Sequence, residues 1–263
     1  MHPSETKILV CCHKQADIPD NGIFLPVHCG KALSDKDFGM TGDDTGDNIS
    51  VKNPNYCELT ALYWAWKNLK GTEYIGLYHY RRYFGFSIFR AFLADIGYKV
   101  KTRRRIINTP DWRMSKVSGE QIRRVLDRYD IILGRPRRVH GSVWEQYSHY
   151  HPSAGLQVTR EAIKALFPDY IDSFDYVMHK TKRLSRCNMF ITGWKVFDDY
   201  CSWLFPVLSY VERHTTIPED PYQARIFGFI AERLLNVYCY HNRLKKTYRY
   251  IYEVTGSATP VNP

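Results

Sequence analysis

Three short apolar runs, each breaking off at basic residues, constrain this chain more than any other feature. Lys7-Ile8-Leu9-Val10-Cys11-Cys12 runs into His13-Lys14, and Tyr74-Ile75-Gly76-Leu77-Tyr78 into His79-Tyr80-Arg81-Arg82. Ile131-Ile132-Leu133 runs into Arg135-Pro136-Arg137-Arg138. Runs this short, without polar alternation, read as strands buried on both faces, the pattern of a parallel sheet covered by helices. In an open α/β sheet the carboxyl ends of such strands lie along one edge, where ligands bind. Cations converging there predict a phosphate or pyrophosphate site, with arginine offering bidentate hydrogen bonds. Any one cluster is equally a solvated strand end; three on one edge favour the anion site.

Between the runs lie helix signals. Asn53-Pro54 is a cap followed by a first-turn proline, and Leu59, Leu62, Tyr63, Trp66 and Leu69 recur at helical spacing up to Gly71. Ser118-Gly119-Glu120-Gln121 has the form of a capping box, with Ile122, Val125, Leu126 and Tyr129 as its stripe. The second half reads as mainly helical over about 160–180, 194–212 and 221–238, the last opened by Asp220-Pro221. Residues 13–53, rich in Gly, Asp, Pro and Asn, read as one long loop region. Strand and helix alternate, which predicts an α/β fold with a mainly parallel central sheet and a helical C-terminal half, in one domain spanning 1–263.

Charge and aromatic content narrow the partner. Lys and Arg number 37 against 27 Asp and Glu, a formal charge of +10, which favours an anionic partner. The 20 tyrosines suit surfaces that stack on flat polar ligands such as bases or sugars, or equally a Tyr-rich core. The 7 cysteines form no CxxC pair, so a zinc ribbon or thioredoxin-type motif is excluded and buried free thiols are expected. The polar start reads as no signal peptide and no run of 18 apolar residues occurs, so a cytoplasmic protein is expected. GxGxxG, GxxxxGK[ST] and Gly-x-Ser-x-Gly are all missing, which removes the usual dinucleotide, P-loop and nucleophile-elbow signals.

Several stretches carry candidate chemistry. In His79-Tyr80-Arg81-Arg82-Tyr83-Phe84, His79 and Arg81 share one face of a strand and Tyr80 and Arg82 the other. The loop Gly42 to Asn48, with Asp44, suits sugar or ribose hydroxyls or a divalent cation, although turn chemistry explains it as well. Glu145-Gln146-Tyr147, His149 and His151 bring a carboxylate and imidazoles together without the second cluster a metal site needs. Gln223, Arg225, Glu232 and Arg233 lie in an apolar helix and require partners, either in a structural network or in a site. Phe89, Phe92, Leu93 and Ile96 followed by Lys99, Lys101, Arg103, Arg104 and Arg105 suit an anionic membrane surface, or a core helix with a basic loop after it.

Blocks along nearly the whole chain resemble one bacterial family, long labelled a domain of unknown function (number 4422). They are Thr45-Gly46-Asp47-Asn48-Ile49-Ser50, Asn55-Tyr56-Cys57-Glu58-Leu59-Thr60, Tyr63-Trp64-Ala65-Trp66-Lys67-Asn68, and Ile75 through Phe84. Glu145-Gln146-Tyr147, Asn188-Met189-Phe190-Ile191, Gln223-Ala224-Arg225 and Glu232-Arg233-Leu234-Leu235 continue the match. Two departures stand out: the segment of about 86–117 is longer than expected, and an acidic residue expected after His151 is replaced by Gly155-Leu156.

Members of that family occur in capsular, exopolysaccharide and O-antigen gene clusters and are regarded as glycosyltransferases. The resemblance therefore implies a GT-A-like nucleotide-binding fold, with residues 1–140 holding a nucleotide-sugar and 141–263 facing a glycan or lipid-linked glycan acceptor. It also implies inverting transfer, with UDP-galactofuranose as the first donor to consider, at the inner face of the cell membrane. Such folds usually carry Asp-x-Asp at a strand end to hold a metal. Here that strand ends in His79-Tyr80-Arg81, and the literal Asp35-Lys36-Asp37 has no apolar strand before it. No metal is expected, therefore, and Arg81 and Arg82 are expected to stabilise the leaving diphosphate. Asp220 and Glu145 are equal candidates for the general base, with Glu232 third. His13, Asp44, Asn48 and Glu58 are expected at nucleotide or sugar hydroxyls, and His79, Tyr83, Tyr147, His151, Asn188, Gln223, Arg225 and Glu232 elsewhere against substrate. A non-catalytic nucleic-acid- or carbohydrate-binding protein is the alternative.

Overall fold

The computed structural model describes residues 5–86, 106–107 and 117–254. The apolar runs become the strands they predict: β1 (Glu5–Cys12), β4 (Thr72–His79) and β7 (Ile131–Gly134). Four more strands join them: β2 (Phe24–His28), β3 (Thr41–Gly42), β10 (Phe190–Gly193) and β11 (Lys246–Arg249). The order across the sheet is β11-β7-β10-β4-β1-β2-β3. All neighbours pair in parallel except β10, which runs antiparallel between β4 and β7. Beyond β4 the chain folds back as β5 (Arg82–Phe84), which pairs with β12 (Ile251–Val254); β12 also pairs with β6 (Ile106–Ile107), and β8 (Arg137–Arg138) and β9 (Arg183–Leu184) form a separate antiparallel pair.

Alternation within the strands divides the core in two. Leu9, Cys11, Ile75, Leu77, Ile131 and Leu133 point into a large cluster under the helices, while Ile8, Val10, Cys12, Tyr78 and Ile132 point into a smaller one. Both faces being buried is why these strands are apolar throughout. At the crossing of β1, β4 and β10, Gly76 pairs with Ile8 and Ile191. A Cβ there would lie 3.0 Å from Phe190 O and from Ile191 Cγ1, so the central strands approach this closely only over a glycine.

The helices are α1 (Asn53–Tyr56), α2 (Leu59–Asn68), α3 (Gly119–Leu126), α4 (Val143–Tyr150) and α5 (Ala154–Leu166). After them come α6 (Ile171–Lys180), α7 (Trp194–His214) and α8 (Ile226–His241). Ser118 makes the expected capping box with Gln121.

Several boundaries differ from the sequence reading, each for a local reason. The helix expected from Asn53 is broken at Cys57, whose φ is +53°. Cys57 O is taken by Asn53 Nδ2 (2.8 Å) and Thr60 Oγ1 (3.0 Å), side chains that compete with the helical ladder. The helix expected over 160–180 is two, α5 and α6, separated by a short 3₁₀ turn at Pro168–Tyr170. Asp220 accepts from Tyr222 N (3.1 Å) and Gln223 N (2.8 Å), capping a 3₁₀ turn, and α8 starts only at Ile226. The expected loop at 13–53 contains β2 and β3; Pro26 hides β2, but it sits where β3 does not reach and the strand is a local edge.

The apolar-basic segment around Phe89 to Arg105 lies outside the described residues. Among the described residues no helix is long and apolar enough to cross a membrane.

Candidate functional site

A cleft of 1240 Å³ opens where the carboxyl ends of β4 and β7 meet the ends of α4 and α8. Its wall is built on the residues just before β10. Because β10 runs antiparallel, its amino end lies beside the carboxyl ends of its neighbours, and the turn Cys187-Asn188 is delivered there. Both residues hold positive φ, +74° and +50°, a conformation that needs outside support in a non-glycine residue.

The supports come from three other elements. Cys187 N–H donates to Glu232 Oε1 at 2.5 Å from α8, and Cys187 O sits 2.7 Å from His79 Nε2 at the end of β4. The Asn188 amide donates to Glu58 Oε1 at 2.6 Å and to Gly228 O at 3.1 Å. Its Oδ1 makes no hydrogen bond among the described residues. Glu232 is held by Arg233 Nη1 at 2.6 Å, and Arg233 Nη2 donates to Gln146 Oε1 at 2.8 Å. One network therefore ties β4, α2, α4 and α8 to a single turn.

The cleft is cationic. Arg82, Arg138, Arg186, Arg225 and Arg233 line it, against Glu58, Glu145 and Glu232. Of the three carboxylates, Glu145 is spent on its own helix: Ser142 N–H donates to it at 2.6 Å, and that bond holds its pKa below the usual carboxylate value. Glu232 uses both oxygens within the network. Glu58 uses one oxygen for Asn188, and no hydrogen bond is made by the other among the described residues. Burial pushes the Cys57 thiol up to about 11, and Arg225 Nε donates to its Sγ at 3.2 Å, so Cys57 is a neutral acceptor there.

Of the residues expected at a site, the fold brings Glu58, His79, Arg82, Glu145, His151, Asn188, Arg225 and Glu232 to this cleft. His13 sits beside it: burial lowers its pKa, and the charges of Lys14, Arg81 and Arg225 lower it further. Arg81 is exposed, 5.0 Å from the Tyr80 ring, and outside the cleft lining.

The remaining candidates are engaged in contacts within the fold. Tyr83 is wholly buried in the smaller core cluster, its hydroxyl on Tyr80 O at 3.3 Å. Tyr147 is wholly buried under the Arg233 guanidinium at 5.1 Å. Gln223 is a strut, with Oε1 2.9 Å from His151 Nδ1 and Nε2 donating to Tyr150 O at 3.0 Å. Asp220 is the cap already described. Asn48 clasps its own loop, donating to Asp44 O and Gly46 O at 3.0 Å each. Asp44 is exposed on that loop, and the buried carboxylate there is Asp43, which accepts from Gly30 N (2.9 Å), Lys31 N (3.1 Å) and Ser50 Oγ (2.5 Å).

Arg186, Cys57 and Cys187 were not anticipated. All 7 cysteines are free, as expected, but Cys57 and Cys187 reach the cleft instead of being fully buried. Glu145 carried a readable signal of another kind, because Ser142-Val143-Trp144-Glu145 is itself a capping box. Among the described residues no group of three or more His, Cys, Asp or Glu is placed to hold a metal ion. Asp35 and Asp37 are exposed and away from the cleft.

Fold and site together define an α/β protein with an arginine-lined cleft at the carboxyl ends of a mainly parallel sheet. The chain belongs to the family described as Domain of unknown function (DUF4422), whose model matches residues 7–243. Its structure is similar to that of the WbbM bifunctional glycosyltransferase in its apo form, with a TM-score of 0.86 and 30% identity. The match covers 98% of this chain and 48% of that one, so the chain spans about half the length of the protein it resembles. No curated protein matches the sequence. The fold is thus the GT-A-like α/β class that the sequence blocks imply.

Proposed function

We propose that the chain is a glycosyltransferase that moves a sugar from a nucleotide-sugar to a glycan or lipid-linked glycan acceptor in polysaccharide assembly. The observation that carries this reading is the arginine-lined cleft at the strand ends of a fold shared with a glycosyltransferase structure. UDP-galactofuranose is the first donor to test, with inversion at the anomeric carbon.

In this reading the donor diphosphate lies against Arg82, with Arg138, Arg186 and Arg225 within the same cleft. As the glycosidic bond to the diphosphate breaks, negative charge grows on the leaving oxygen. Fixed guanidinium groups stabilise that charge without reorganising. In this reading they take the place of a metal, and His79-Tyr80-Arg81 at the end of β4 supply an imidazole and a cation where paired carboxylates would hold one.

We assign the general base to Glu58 rather than to Asp220, which lies outside the cleft lining, or to Glu145, whose pKa the Ser142 N–H holds low. Asn188 fixes one Glu58 oxygen, leaving the other to take the proton from the acceptor hydroxyl as the hydroxyl oxygen attacks the anomeric carbon and the diphosphate leaves. Arg81, Lys14 and neutral His13 flank the nucleotide end of the cleft.

Thermal unfolding tests the reading with UDP, UDP-galactofuranose, UDP-galactose, GDP-mannose and a short oligonucleotide, each in EDTA or in manganese. A ligand that binds only the folded chain raises the midpoint. UDP compounds are expected to raise it in EDTA, and Arg82→Ala to remove the shift. A shift with the oligonucleotide alone overturns the transferase reading, and a shift with UDP only in manganese overturns metal independence.

A further inference from the structure

One wall of the cleft is aromatic, and none of its rings takes part in the proposed chemistry. Tyr222 and Tyr150 line the cleft and are 56% and 60% exposed, high for side chains of this size. Tyr222 does not stand alone. Its ring lies 6.0 Å from His151 at 28° and 5.3 Å from Phe229, and His151 stacks on Phe229 at 4.0 Å and 24°. The base of this stack is fixed. His151 is buried and bonded to Gln223, Gln223 holds Tyr150 O, and Asp220 caps the Tyr222 amide. An aromatic face is thus held open to the cleft by a rigid support, the arrangement that lowers the entropic cost of binding.

We infer that Tyr222, backed by His151 and Phe229, is a stacking platform for a pyranose ring of the acceptor glycan. This rests on the transferase reading for the word acceptor, though not for the carbohydrate contact itself. A pyranose presents an apolar C–H face and a rim of hydroxyls, and an aromatic ring beside free polar donors matches both. The Arg225 guanidinium supplies such donors, lying 5.9 Å from the Tyr222 ring and 5.7 Å from the Phe229 ring.

A nucleobase would also stack, but reading a base requires free amides or carboxylates at its edge. Beside Tyr222 both ends of the Gln223 amide are bonded and Asp220 Oδ1 takes two backbone N–H groups, so neither the amide nor that oxygen is free for a base edge. His151 is neutral, since burial lowers its pKa, so the stack beneath Tyr222 adds no charge that would select an anion.

The test uses the full chain and saturation-transfer NMR with methyl β-galactopyranoside, methyl α-glucopyranoside and methyl α-mannopyranoside, with and without saturating UDP. At least one pyranoside is expected to receive saturation through its C–H protons. Tyr222→Ala is expected to weaken that contact about tenfold, Tyr222→Trp to retain it, and UDP affinity to stay within about twofold of wild type in both. Tyr222 is exposed, so both variants are expected to unfold at the wild-type temperature.

Two results overturn the inference: no pyranoside contact in the wild type, or Tyr222→Ala weakening UDP as much as the pyranoside, which would make the platform a nucleobase seat. If the pyranoside contact depends on Tyr222 while UDP does not bind at all, the platform stands and the choice of a UDP-linked donor falls.

Discussion

Removing the Glu232 carboxylate strikes the turn on which the cleft is built, and its effect follows from three contacts. The Glu232 side chain is 14% exposed and that of Arg233 3%, with Nη1 2.6 Å from Oε2. In Glu232→Ala, Arg233 keeps Phe229 O at 2.9 Å and Gln146 Oε1 at 2.8 Å but has no carboxylate. Burial already lowers the Arg233 pKa, and Glu232 is the first group acting against that.

Stranding one member of a buried pair costs about 3–5 kcal/mol, and the orphaned Cys187 N–H adds about 1 kcal/mol. The Glu232 side chain is partly exposed, so the pair is not fully desolvated and we expect the lower end, about 3–4 kcal/mol. For a chain of this size that lowers Tm by roughly 6–16 °C. Urea unfolding monitored by tryptophan fluorescence should show a lower midpoint at unchanged m-value. Glu232→Gln, which keeps an acceptor for Cys187, should fall between wild type and Glu232→Ala. Glu232→Ala/Arg233→Met should recover at least half the loss, because replacing both members of a buried pair is far milder than removing one. A loss below about 1 kcal/mol in Glu232→Ala, or a double variant as unstable as the sum of the singles, would refute the reasoning.

Three further outcomes are expected. Asn188→Ala removes both amide donations and puts alanine at positive φ, so it should cost about 2 kcal/mol; it should also lower kcat more than it raises donor KM, because Glu58 loses its orientation. A wild-type kcat would exclude Glu58 as a base held by Asn188. Burial lowers the pKa of His13, His28, His151 and His241 below their ordinary 6.5, so each is neutral in the folded chain and the unfolded chain binds protons first. Their contribution is whole above about 6.5 and is lost as pH falls through the lowered values; the urea midpoint should drop between pH 7.5 and 5.0, and a rise would contradict that sign. Arg82→Ala should weaken UDP binding about tenfold or more and flatten its salt dependence, measured by calorimetry at two ionic strengths.

The legible parts of the fold were those with local causes. Ile8 to Cys12 and Ile131 to Leu133 are apolar throughout because both of their faces are covered, and Ser118 with Gln121 caps α3 as its spacing predicts. The cationic strand ends are also visible in the sequence, but only His79, Arg82 and Arg138 of those clusters reach the cleft. Arg135 turns to Tyr250, its Nη1 2.5 Å from the hydroxyl, and Arg81 lies over Tyr80. Which cation faces a ligand depends on where β5 and β12 fold back, a non-local matter. The carboxylates were harder still. Asp220 and Glu145 are candidate bases in the sequence, where a cap and a base share the same residue types, and the N–H groups each accepts from appear only in the fold.

The sequence by itself determined β1, β4 and β7, their burial on both faces and the basic residues at their ends, because periodicity acts over a few residues. The tertiary structure alone decided that β10 runs antiparallel between β4 and β7. That reversal places Cys187-Asn188 among His79, Glu58 and Glu232, residues from three other elements. Neither residue is a glycine, so nothing local marks the positive φ they adopt. Hydrogen bonds from groups 40 to 130 positions away in the chain hold the turn in place.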